Sequence, residues 1–157
     1  MFYKLYSDTE HEKILRPFVK NIENFCSGSE LQFLNKEVLC WNIPCESDFA
    51  FNEFYYVNNK VPVFNCQVWE QAANILDEDE IFRIPVIIKY CGEQHYYTVA
   101  LPSRINCLDS KGRILPGNVG RYHIFKSNLK EDNAIYVSEQ MMKKLNIFPN
   151  LKLEGVR

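Results

Sequence analysis

A thiol, an imidazole and a carboxylate held within hydrogen-bond reach can perform nucleophilic chemistry, the base drawing the proton and a third group orienting the base. The chain supplies those residue types. Cys107 stands two residues before Asp109, His95 opens "HYYTVAL", and His123 lies in "RYHIF". Their local patterns point elsewhere. Cys107 alternates inside "INCL", where an inward cysteine is packing. His95 shares a strand face with Tyr97, Val99 and Leu101, and His123 shares one with Phe125. A single histidine on an apolar face is more often a hydrogen-bonded core residue than a base. The sequence carries no Gly-rich phosphate loop, nucleophile elbow or paired-carboxylate motif. No catalytic residue is therefore assigned and an enzyme is not expected; a small Cys/His hydrolase is the enzymatic alternative.

Metal chemistry has little more to work with. The cysteines are Cys26, Cys40, Cys45, Cys66, Cys91 and Cys107. Cys40 and Cys45 form "CWNIPC", but no second close pair and no His pair completes a zinc set. Cys91 and His95 flank "GEQ", where Cys-Gly reads as a hairpin turn. The cysteines read as small core hydrophobes, with no metal and no cofactor.

Composition bounds the function class. With 157 residues, 46% hydrophobic and 14% aromatic, the chain suits one domain with a real core. A net charge of −2 and a pI near 5.9 supply no bulk field for nucleic acid or an anionic membrane, so neither is an expected partner. "MFYKLYSDTEHEKIL" lacks the apolar run and cleavage site of a secretory signal, and no apolar run is long enough to span a bilayer. The expectation is a cytoplasmic protein with reduced thiols.

The elements follow from periodicity and caps. "MFYKLYS" predicts a strand over Phe2–Tyr6. Ser7 and Glu10 have capping-box spacing, and Ile14, Leu15, Phe18, Val19, Ile22 and Phe25 share a helical face, kinked at Pro17 and ended by Gly28. "VLCWNIP" reads as a strand, "FAFNEFYYV" as strand or loop, and Val61–Phe64 as a short extended piece. Asn65 caps a helix over Cys66–Leu76 with Val68, Trp69, Ala72, Ala73 and Leu76 buried. "IFRIPVIIKY", a "CGEQ" turn and "HYYTVAL" make a hairpin; Pro85, unable to donate, belongs at an edge, a bulge or an outward position. "RINCL" predicts a third strand, "DSKGRILPGNVG" a loop, "RYHIFK" and "AIYV" two more strands. Ser138 caps a last helix with Met141, Met142 and Leu145 inward, and "LKLEGV" is a possible terminal strand. The expected fold is α+β: one domain, 1–157, of mainly antiparallel meander packed with about three helices.

A strand ending in "PVF", the capped helix "NCQVWEQAANIL", the pair "IPVIIKY…YYTVALPSRINCLD" and the closing "GRYHIFKS…NAIYVSEQMMKKL" occur in that order. Together they resemble the bacterial immunity proteins of polymorphic toxin systems, in the group called immunity protein eleven. The likeness covers roughly Val61 to the C-terminus; before that only the "YKL" opening matches. "HIFK" is its most distinctive mark, while the glycine of the closing strand is shifted to Gly155. The resemblance implies a cytosolic protein that binds and neutralises a cognate protein toxin by occlusion. It names no catalytic residues. A non-enzymatic binding module of a related defence or regulatory system is the neighbouring alternative.

Two stretches are candidates for the partner surface. The acidic Asp77, Glu78, Asp79 and Glu80 suit the basic cleft of a nucleic-acid-directed toxin, or form a solvated helix end. Phe54, Tyr55 and Tyr56 are of the types enriched in binding hot spots, or pack in the core.

Overall fold

The computed structural model describes residues 1–7, 39–47, 49, 51–57, 61–77, 80–149 and 151–156. The helix expected after Ser7 lies outside the described residues, and Ser7 itself closes the first strand, β1 (Phe2–Ser7). The chain continues as β2 (Leu39–Ile43), β3 (Phe54–Val57), β4 (Val61–Asn65), α1 (Cys66–Ala73), β5 (Ile81–Tyr90), β6 (Glu93–Pro102) and β7 (Arg104–Ile105). Then come α2 (Pro116–Val119), β8 (Ile124–Ser127), β9 (Ile135–Ser138), α3 (Glu139–Leu145) and β10 (Leu151–Val156). The fold is α+β.

These strands form two sheets of five, ordered β10-β1-β9-β8-β7 and β2-β5-β6-β4-β3. The mainly antiparallel strands are thus divided between two sheets. Most neighbours are antiparallel, but β2 runs parallel to β5 and β7 parallel to β8. "RINCL" does not extend the β5–β6 hairpin. After Pro102 the chain leaves that sheet, and Arg104–Ile105 pair with Lys126–Ser127 in the other.

The caps act as their residue types require. Asn65 accepts the Gln67 N–H through Oδ1 at 2.8 Å, opening α1. The helix ends at Ala73, short of the expected Leu76, because its last turn tightens: Ile75 and Leu76 N–H groups turn back to the carbonyls of Ala72 and Ala73 at 3.4 and 3.2 Å. Ser138 Oγ accepts the Met141 N–H at 3.1 Å, opening α3. The terminal strand is present, its Phe2↔Val156 to Ser7↔Leu151 register running along the whole of β1.

The sheets meet through the helices. Val68, Trp69 and Ala72 of α1 and Met141 and Leu145 of α3 pack with Leu5, Ile124, Ile135 and Val137 of one sheet. From the other sheet they meet Phe54, Tyr56, Phe64, Ile81 and Ala100. Opposite faces carry separate cores: Cys107, Val119, Phe125 and Tyr136 behind the first sheet, and a cluster including Val63, Ile84, Val86, Tyr97 and Val99 behind the second. Strand β3 is buried at every residue because it serves two cores at once: Phe54 and Tyr56 face the helices, Tyr55 and Val57 the far side.

Candidate functional site

Three polar residues singled out by sequence, Asp77, Glu80 and His123, meet where the two sheets join. Glu80, fully buried, sits one residue before β5. Its Oε2 accepts the Asp77 N–H and its Oε1 the His123 N–H, both at 2.9 Å. Its backbone carbonyl accepts two bonds from Ser103, N–H at 3.1 Å and Oγ at 3.0 Å. Ser103 in turn accepts the Lys126 N–H at 2.9 Å, and His123 accepts the Ser138 N–H at 2.9 Å. Four segments from both sheets are thus tied through one glutamate. The Lys126 ammonium, buried with its strand, stands 5.7 Å from the centre of the Tyr56 ring, a cation–π contact across the same joint.

His123 Nδ1 lies 2.8 Å from Ser138 Oγ. A serine–histidine pair at that distance resembles a nucleophile and its base, but its other bonds give it a different use. The serine oxygen already accepts the Met141 N–H in the first turn of α3. The Glu80 carboxylate bonds the histidine's backbone rather than its ring. The pair is a helix cap extended by one imidazole. The remaining chemistry-bearing residues stand apart from it. Cys107 is buried, and that desolvation pushes its thiol pKa up, disfavouring the thiolate. Asp109 is engaged in its own loop, accepting N–H groups of Lys111 and Arg113 at 2.9 and 2.8 Å and the Arg113 Nε at 2.9 Å. Those bonds, the Arg113 N–H foremost, hold its pKa below the usual carboxylate value. His95 stacks on Phe51 and places Nε2 3.2 Å from Glu93. Among the described residues, no group of three or more His, Cys, Asp or Glu side chains is placed to hold a metal ion.

The expected partner residues need correction. Phe54 and Tyr55 are fully buried and Tyr56 nearly so, which leaves them no surface for a partner. The Tyr55 hydroxyl accepts the Asn52 N–H at 2.7 Å, and Tyr97 donates to the Asn52 carbonyl at 2.8 Å, so both phenols are spent inside. Of the acidic run, Glu80 is internal. Asp77 is exposed and paired with Arg121 at 3.3 Å. Glu78 and Asp79 lie outside the described residues. The cysteine reading also changes: Cys107 is buried, but Cys40, Cys45 and Cys91 are exposed and Cys66 is half-buried.

What does face solvent is the far half of the second sheet. On the face where Ile81 and Ala100 lie beneath the helices, Arg83 covers the rim of Trp69 at 5.8 Å. Beyond it the residues of β5 and β6 on this face are mostly exposed or half-buried. Pro85 and Lys89 are exposed, Ile87 is half-buried opposite Tyr96, and Lys89 stands opposite Gln94. Cys40 and Asn42 of β2 extend the same face beside Ile87 and Lys89. Tyr96, 58% exposed, stands at its centre. Pro85 satisfies its predicted outward placement in an inner strand, one residue before the β2–β5 ladder begins at Leu39↔Val86. Alternation in "IFRIPVIIKY" and "HYYTVAL" carries the signal for this face, because the residues that alternate with the buried Val86, Ile88, Tyr97 and Val99 must point away from them. Among the described residues, no helix is long and apolar enough to cross a membrane.

No protein-family model matches the chain, and no curated protein matches it.

Proposed function

We propose that this chain is an immunity protein that binds a cognate bacterial toxin one-to-one in the cytoplasm and blocks it by contact, without catalysis. The observation that carries the reading is the exposed half-sheet around Tyr96, Ile87, Pro85 and Lys89. It combines an exposed tyrosine with aliphatic and proline surface and a few polar side chains, the make-up of an interface centre with a polar rim. Its backbone is fixed by ladders on both sides of β5, so docking costs little ordering entropy. The order of motifs from Val61 onward supports the toxin as partner, through the resemblance to immunity proteins. His123 is engaged in the joint between the sheets, Cys107 is buried in a separate core and Asp109 is held in its own loop, which agrees with a protein that acts by shape. Asp77 is kept as a peripheral contact, where an exposed charge affects association rate more than affinity.

The test is co-purification with the toxic protein encoded beside this gene. Wild type should hold it through size-exclusion chromatography as a one-to-one complex. Tyr96→Ala combined with Ile87→Asp should fold and lose at least tenfold in affinity. Full affinity in that variant would reject the half-sheet as the contact surface, and failure of the wild type to bind would reject the immunity reading.

A further inference from the structure

At the open end of the same sheet, two exposed cysteines from distant segments meet. Cys45 lies just past β2 and Cys91 at the tip of the β5–β6 hairpin, 46 residues further along. The Cys91 thiol points at the Cys45 carbonyl, with 3.9 Å between Sγ and O, and the Cys45 side chain is close enough to raise the Cys91 thiol pKa. The segment after β2 is held against the hairpin by the Tyr90 hydroxyl, which donates to the Ser47 carbonyl, and by Phe49 packed edge-on against the Tyr90 ring.

A second observation singles out Cys91. The hairpin closes with two residues, Cys91 and Gly92, at φ of 50° and 79°, between the paired Tyr90 and Glu93. Such a turn requires positive φ at both positions and favours Asn, Asp or Gly at the first. Cys91 is the one non-glycine residue with positive φ among the described residues. A side chain kept in a disfavoured conformation, in contact with another thiol, is a place where strain points to use.

We propose that Cys45 and Cys91 are a redox-active dithiol, oxidised by small-molecule disulfides such as oxidised glutathione to an intramolecular bond that locks the hairpin to the end of β2. Cys45 attacks as thiolate, forming a mixed disulfide and releasing one small thiol. Cys91 then loses its proton to solvent, attacks the Cys45 sulfur and releases the second. Two protein thiols become one disulfide, and one small disulfide is reduced to two thiols. The contact with Cys45, ahead of desolvation, raises the Cys91 thiol pKa. Both sulfurs are open to solvent, as such exchange requires.

The protein incubated with excess oxidised glutathione should lose two hydrogens in mass. Peptide mapping should join the segments holding Cys45 and Cys91, and dithiothreitol should reverse the change. Closing a loop of that length should raise the thermal midpoint by roughly 5–10 °C. Cys91→Gly, which suits the positive φ and should fold at least as well, should stop at one glutathione on Cys45 with no rise in midpoint. A bond formed between other cysteines would overturn the proposal. So would persistence of both thiols in a folded protein whose Cys45 iodoacetamide still alkylates.

Discussion

The sheet joint around Glu80 and the open half-sheet around Tyr96 use the same kinds of residue to opposite ends. At the joint the buried Glu80 carboxylate accepts backbone N–H groups from the segments before β5 and β8, the His123 imidazole meets the Ser138 hydroxyl, and the buried Lys126 stands by the Tyr56 ring. On the half-sheet a tyrosine, a lysine, a glutamine and an asparagine stand on a rigid ladder with their ends in water. Residue type alone does not say which side chains act on other molecules. What separates the two regions is whether the polar atoms already have partners inside the fold.

The sharpest way to break that contrast is at Glu80. Glu80→Ala leaves the part-buried Asp77 and His123 N–H groups without their acceptor, and should cost on the order of 2–4 kcal/mol. Glu80→Gln keeps one carbonyl acceptor and should cost about 1–2 kcal/mol. Urea unfolding monitored by tryptophan fluorescence measures both. A neutral Glu80→Ala would mean that the joint is not what holds the sheets.

The next effect is on pH. Burial, first among the causes, holds the phenol pKa values of Tyr55, Tyr97 and Tyr136 well above 10 in the folded chain. A pKa raised in the folded state gives stability that is whole below the unfolded value and is lost as pH rises. Unfolding should therefore become easier from about pH 10 upward, where the unfolded chain releases phenolic protons that the folded one retains. Urea midpoints at pH 8 and 11 test this, and Tyr136→Phe should flatten the slope.

His123→Ala removes the ring that meets Ser138 while leaving both backbone bonds. A cost of about 1 kcal/mol is expected, smaller than for Glu80→Ala because the cap from Ser138 to Met141 survives. Smallest is Cys91→Gly, which removes a strained φ and should stabilise the reduced protein by about 0.5–1 kcal/mol.

Much of the fold was legible where the signal is local. Asn65 and Ser138 announce their helices through side-chain chemistry, and the hairpin from Ile81 to Pro102 through β-branched runs either side of Cys-Gly. Partner choice between distant strands was not. Nothing in "RINCL" says that Arg104 and Ile105 leave the hairpin's sheet for β8, because that choice depends on a contact more than twenty residues away. The site was harder still. "FYYV" reads equally as core or hot spot until both faces of β3 are seen to be covered. "DEDE" reads as one charged surface, although its last member turns inward to meet backbone donors. Cysteine spacing likewise hid the meeting of Cys45 with Cys91, which only the parallel pairing of β2 with β5 brings about.

The most direct test of the central claim is a titration of the partner toxin's activity with this protein and with folded His123→Asn and Tyr96→Ala variants. A contact inhibitor must match its target in number. Wild type and His123→Asn should lower toxin activity linearly to zero near one equivalent, while Tyr96→Ala should need a clear excess. Protection at a small fraction of an equivalent, lost in folded His123→Asn, would show turnover at the joint and contradict the account.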